Sequence, residues 1–96
     1  MWLIEFNKNA LAWTNSDWRN KAYLITQFDY FRDRLKCCGY LYLNDIYESL
    51  GVKWNPNEPN LCFREANNVE FEVVGVGEPG TFDYIIKIRY TELEAL

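Results

Sequence analysis

Histidine is absent from this sequence. Its absence removes the commonest general base near neutral pH, any Ser-His or Cys-His nucleophile pair, and most zinc sites. Long apolar runs are missing too, and none approaches the ~18 residues of a membrane-spanning helix. The N-terminus, Met1-Trp2-Leu3-Ile4-Glu5, lacks the basic segment and apolar stretch of a secretory leader. Cysteine is scarce: Cys37, Cys38 and Cys62 form no metal-ligand spacing and leave one unpaired. Free thiols in a reducing cytoplasm are the expectation. The vicinal pair Cys37-Cys38 lacks a C-x-x-C spacing, and Arg34 and Lys36 stand at the wrong end of a helix dipole to activate a thiol. Small buried or half-buried thiols are expected there. Bases are the minority charge, with 10 Lys and Arg against 14 Asp and Glu, a net charge of −4. A duplex-DNA binder draws most of its affinity from phosphate contacts, so this balance argues against one.

What the chain has in excess is aromatic residues, at 18%, including four Trp, seven Tyr and six Phe. Large rings bury much area each, so a chain of 96 residues can build an adequate core as a single domain spanning 1–96. The same residues are enriched at binding surfaces. The charge is unevenly spread: residues 1–50 carry six acids and six bases, residues 51–96 eight acids and four bases.

Trp2 to Phe6 alternates as a short strand, and Asn7 to Asn15 reads as irregular. From about Asp17 to Lys36 the pattern is helical. Asn15 and Ser16 can both cap its first turn, and Asp17 suits the positive end of the dipole. Leu24, Phe28, Phe31 and Leu35, spaced by four, three and four, form an apolar stripe that Trp18, Ala22 and Ile25 extend toward the N-terminus. Gly39 supplies a left-handed stop. A second helix follows Tyr40-Leu41-Tyr42, with Asn44 as cap, Ile46 and Leu50 as its buried face, and Gly51-Val52 as its end signal.

Asn55 to Asn60 is a loop by composition, after which the period changes to two. Val69, Phe71 and Val73 alternate with Glu70 and Glu72, and Phe82, Tyr84, Ile86, Ile88 and Tyr90 share one face. Glu78-Pro79-Gly80-Thr81 fits a type II turn between them. Leu61 to Glu65 offers a third strand to this hairpin, turning at Asn67-Asn68. The fold class is α+β: one long and one short helix packed on a small antiparallel sheet, a C-terminal hairpin or meander.

Little here carries chemistry. Glu70 and Glu72 share one strand face near Lys87 and Arg89, which is the solvated side of a hairpin with cross-strand charge pairs rather than a catalytic carboxylate pair. Gly75, Gly77 and Gly80 lie between strands, so they suit bulge and turn positions rather than a phosphate cradle. No cofactor or metal is implied. Half of the basic residues, Arg19, Lys21, Arg32, Arg34 and Lys36, sit on the long helix. With a short helix and hairpin after it, this suggests a winged helix. Asp29 and Asp33 interrupt the charge, however, and the second helix carries Asp45 and Glu48 but no base.

Asp33-Arg34-Leu35-Lys36 followed by Gly39-Tyr40-Leu41-Tyr42-Leu43-Asn44-Asp45-Ile46-Tyr47-Glu48-Ser49-Leu50-Gly51 resembles a segment of small uncharacterised phage and prophage proteins. Those proteins place a helix before a Gly-aromatic link and a Leu-Asn-acid-aliphatic-Tyr-acid helix, then a short β-region with a Trp, here Trp54. The match covers about 20 residues, and the hairpin comes later than in that family. The resemblance implies origin rather than activity, with location in a bacterial host cytoplasm or on a virion. The leading expectation is a non-enzymatic protein-interaction module, with Asp45, Tyr47, Trp54, Glu70, Glu72, Arg32 and Arg34 as contact residues. A homo-oligomer is a further expectation, through edge pairing of the hairpin's last strand. The alternative is an inhibitor of a host nuclease defence, such as an anti-CRISPR protein, acting through acids of the second half (Glu65, Glu70, Glu72, Glu78, Asp83, Glu92, Glu94). Winged-helix DNA binding comes third and an enzyme last.

Overall fold

The long helix starts where a cap is available. Ser16 is extended, at φ −120° and ψ 113°, and its side chain accepts from the Arg19 amide. Helix α1 then runs Asp17–Cys38 and stops at Gly39, which is left-handed at φ 82° and returns its N–H to the Leu35 carbonyl. In this computed structural model, residues 1–77 and 83–91 are described. The turn expected at Glu78-Pro79-Gly80-Thr81, together with Phe82, Glu92 and Glu94, lies outside them.

Helix α2 spans Leu43–Leu50 and ends at Gly51, also left-handed at φ 68°. Its start corrects the assignment of Asn44 as cap. The N-cap is Tyr42, which makes no side-chain cap bond. The free first-turn amides are satisfied from the later loop instead. Leu43 N–H donates to the Leu61 carbonyl at 2.8 Å, and Asn44 N–H to Asn60 Oδ1 at 2.9 Å. A buried helix start needs such partners, and a residue distant in sequence supplies them as well as a local one.

Strand β1 covers Trp2–Phe6, β4 Glu70–Val76 and β5 Asp83–Arg89. They form an antiparallel sheet in the order β1-β5-β4. The alternation expected of the hairpin is present, with Glu70 opposite Arg89 and Val76 opposite Asp83 in unbroken register. Gly75 therefore sits opposite Tyr84 in regular pairing rather than in a bulge. The last strand is not an edge, because β1 lies along its other side from Trp2–Ile88 to Phe6–Tyr84. The third strand of the meander is therefore β1. The segment after Leu61 does form a strand, β3 (Cys62–Arg64), but it pairs with β2 (Tyr40–Tyr42) in a separate two-stranded sheet.

One face of the larger sheet meets the helices. Ile4 and Phe6 of β1, Phe71 of β4, and Tyr84, Ile86 and Ile88 of β5 are buried against Leu24, Phe28, Phe31 and Leu35 of α1. Phe71 is the centre of the contact, with Phe28 stacked at 5.7 Å and Phe31 tilted at 5.5 Å between ring centroids. Leu41 and Phe63 carry the small sheet into the same core. Each ring fully buried this way contributes roughly 1.5–3 kcal/mol. The result is an α+β fold with a layer of helices on one face of the sheet.

The α1 core stripe is narrower than its apolar content. Trp18, Ala22 and Ile25 are exposed and do not extend it. Its N-terminal end is a polar residue: Asn20 is 1% exposed. Asn20 Oδ1 accepts from the Thr14 N–H at 2.8 Å and the Thr14 hydroxyl at 2.9 Å, while its Nδ2 donates to the Thr14 carbonyl at 2.9 Å. The side-chain amide thus pairs with a backbone as a neighbouring strand would, and it fastens the Asn7–Ser16 segment to the helix.

Candidate interaction surfaces

The contact residues expected from sequence do not come together as one site. Arg34 and Asp45 do meet, in a depression of about 270 Å³ between α1 and α2 that is also lined by Tyr30, Phe31, Glu48 and Ser49. The Tyr30 hydroxyl, hydrogen-bonded to the guanidinium, raises the pKa of Arg34, and Asp45 pushes the same way. Arg32 lies on another flank of α1 and pairs with Asp29 at 3.1 Å.

Tyr47 is buried, so it belongs to the core rather than to a surface. Trp2 Nε1 donates to its hydroxyl at 3.1 Å, and that hydroxyl reaches Glu58 Oε2 at 3.5 Å. Burial pushes the Tyr47 pKa above its ordinary 10.0, the Trp2 donor draws it back, and the Glu58 carboxylate raises it. Trp54 is half-buried against the core, and its buried indole N–H has no hydrogen-bond partner among the described residues.

Glu70 and Glu72 are exposed on the face of the sheet that the helices leave open. Glu72 pairs with Arg89 at 3.0 Å, and the register sets Lys87 beside Glu72 and Arg89 beside Glu70. Leu3, Val74 and Ile85 share this face with those charges. An antiparallel sheet can leave such a side to water. Glu70 and Glu72 are thus interleaved with bases rather than massed. At 100° per residue the bases of α1 divide between two flanks, Lys21, Arg32 and Lys36 on one and Arg19 and Arg34 on another, and Asp29 stands among the first set, paired with Arg32.

The thiols also depart from expectation. Cys37 and Cys38 are exposed and Cys62 is half-buried, all three free. Helix α1 buries only one side in its last turn, through Leu35, and the pair follows on the outer side. No helix among the described residues is long and apolar enough to cross a membrane.

The contact residues expected from sequence include none of the exposed apolar residues of α1. Trp18 is 77% exposed and Ile25 47%. Trp18, Asp17 and Lys21 of α1 meet Val73 and Gly75 of β4 and Tyr84 of β5 around a slot of about 400 Å³. Alternation explains the slot. Phe71, Val73 and Gly75 point toward α1, and at Gly75 there is no side chain to fill the space beneath the helix. Tyr84 forms its floor, its hydroxyl donating to the Asp17 carbonyl at 3.3 Å. Burial raises the Tyr84 pKa, and Asp17 adds to the effect. Beside this slot, the outer edge of β4 has no strand partner among the described residues. The signal available in the sequence was the second apolar series 18-22-25, which has helical spacing but a phase of its own. No protein-family model matches this chain, and no curated protein or solved structure matches it at a significant level.

Proposed function

We propose that this chain is a non-enzymatic protein-binding module, of the phage or prophage kind its Gly39–Gly51 segment resembles, and that it binds through the side formed by α1 and β4. One observation carries this reading: a tryptophan left 77% exposed stands beside the seven-residue β4, whose outer edge has no strand partner among the described residues. Tryptophan is among the residues most enriched in binding hot spots, and an open edge offers main-chain hydrogen bonds to an incoming strand. The charges of α1 and of the open sheet face do not supply the basic surface that nucleic acid requires.

Site-specific photo-crosslinking tests it. A photoreactive phenylalanine analogue replacing Trp18, expressed in a phage-infected bacterial host and irradiated, is expected to give a discrete adduct that survives nuclease. The same analogue at Thr26, exposed on another flank of α1, gives none. An adduct lost on nuclease treatment, or equal smears from both positions, overturns the proposal.

A further inference from the structure

The α1–β4 side has features that complement a copy of itself. Trp18, Ala22, Ile25, Asp29 and Arg32 recur at spacings of four, three, four and three, so they form one stripe of α1. That stripe lies about 100° round the helix from the core stripe Leu24, Phe28, Phe31 and Leu35. The opposite flank is taken by α2, where Tyr23 donates to the Ser49 carbonyl and Ser49 bonds Gln27. Helix α2 also closes toward β1, through Trp2 and Tyr47. Among the described residues, α1 is therefore the outermost element of its layer on the β4 side, and β4 is the outermost strand of the sheet.

Apart from two acids, this edge carries none of the usual devices against pairing. Proteins blunt an open edge with lysine, proline or a bulge. Strand β4, Glu-Phe-Glu-Val-Val-Gly-Val, has no lysine and no proline, and its register with β5 is continuous. Its two acids stand at one end. If two β4 strands pair antiparallel about Val73, Glu70 faces Val76, Phe71 faces Gly75 and Glu72 faces Val74. No acid then meets an acid, and the large ring lies opposite the residue without a side chain.

The helices obey the same symmetry. Phe28 rests on Phe71, whereas Trp18 and Lys21 stand by Val73 and Gly75. Helix α1 thus runs antiparallel to β4, and an axis through Val73 passes near Ile25. Across that axis Lys21 meets Asp29 of the other copy, and Trp18 meets Arg32. Asp29 and Arg32 already form an exposed pair, so each receives a complementary neighbour: an ammonium for the carboxylate and an indole face for the guanidinium.

We infer that the α1–β4 side binds a second copy of this chain, β4 pairing antiparallel with β4 in one continuous sheet while the exposed stripes of the two α1 helices pack together. The inference rests on the protein-binding reading above and names the protein bound.

Sedimentation velocity of the full chain, at roughly 10 to 500 µM, is expected to show a concentration-dependent dimer. Ile25→Lys sets two like charges together on the axis and should raise the dissociation constant at least about a hundredfold, with the monomer's circular dichroism unchanged. Lys21→Asp and Asp29→Lys should each weaken association about tenfold, and the double variant should restore it. That rescue is a result that loss of folding cannot produce. A chain monomeric throughout, or a dimer indifferent to Ile25→Lys, overturns the inference. If position 18 still gives a nuclease-resistant adduct that contains a different protein, only the second copy is refuted. If it gives no protein adduct, the binding reading fails with it.

Discussion

Two glycines of this chain share a backbone conformation and differ in their surroundings, which allows the two contributions to be separated. Gly39 and Gly51 each end a helix, at φ 82° and 68°. For an L-residue this region costs roughly 1–2 kcal/mol. A Cβ at Gly39 would meet nothing within 4 Å. A Cβ at Gly51 would lie 2.7 Å from Leu11 Cβ and 2.8 and 2.9 Å from the backbone nitrogens of Leu11 and Ala12. That backbone cannot swing aside as a side chain would, because the Leu11 N–H donates to the Gly51 carbonyl at 2.9 Å. Gly39→Ala should therefore cost about 1–2 kcal/mol from conformation alone. Gly51→Ala adds an overpacking cost of about 1–3 kcal/mol, for about 2–5 kcal/mol in all. Against a total stability of roughly 5–15 kcal/mol this is a large share. Asparagine adopts the left-handed region more readily, so Gly39→Asn should recover most of the loss, whereas Gly51→Asn should not, because its Cβ still collides. Urea unfolding followed by tryptophan fluorescence gives the four differences. Equal losses at the two sites, or a recovery by asparagine at position 51, would refute the account of the close approach.

Further consequences follow from single contacts. Replacing Asn20 by Ala strips three hydrogen bonds from Thr14 and should cost about 1–3 kcal/mol in urea unfolding; Asn20→Asp, which loses the donor to the Thr14 carbonyl and buries a charge, should cost more, and an Asp variant as stable as wild type would disprove the clamp. Tyr47 and Tyr84 both have folded-state pKa values raised above 10.0, by burial first, then by the Glu58 and Asp17 charges respectively. A raised value means that the unfolded chain gives up the proton first, so this stability is fully present below about pH 10 and is lost as the pH rises through the folded-state values. Between about pH 9 and 11 the Tyr47→Phe, Tyr84→Phe double variant should lose stability less steeply than wild type, and parallel slopes would contradict the assignment. With a thiol reagent, the exposed Cys37 and Cys38 should react in a fast phase and the half-buried Cys62 in a slow one; a single phase would put Cys62 at the surface.

What the sequence made legible was local chemistry. The cap and the two left-handed stops of the helices, the alternation of Phe71 and Val73 against Glu70 and Glu72, and the pairing of those acids with Lys87 and Arg89 each depend on neighbours within a turn or a hairpin. What it concealed was chain-distant: β1 pairs with β5 across most of the chain, and β3 leaves the hairpin for β2. Asn60 replaces Asn44 as the group that satisfies the start of α2. Of the contact residues, Arg34 and Asp45 were found together because the turn between the helices sets them face to face. Tyr47 was misplaced because a tyrosine on a short helix fits a surface or a core equally until Trp2 is seen to donate to its hydroxyl.

The phase of α1 is where this ambiguity has functional weight. Leu24-Phe28-Phe31-Leu35 and Trp18-Ala22-Ile25 have the same helical spacing, so periodicity alone reads them as a single stripe. Only the sheet decides between them, and it covers the first. The second keeps its apolar area in water. A tryptophan buries about 200 Å² at most, so at 77% exposure Trp18 withholds about 150 Å², or roughly 4 kcal/mol of transfer free energy at 25 cal/mol per Å². Two copies closing on one another gain about twice that, against an association cost of about 4–15 kcal/mol. The rings alone therefore hold the pair weakly, and the β4 edge has to contribute its backbone hydrogen bonds. Removing either contribution should dissolve the complex. Trp18→Ser, which removes a side chain that is mostly in solvent, should leave the monomer's urea midpoint nearly unchanged and abolish self-association. A variant that stays dimeric would show that the edge suffices without the ring.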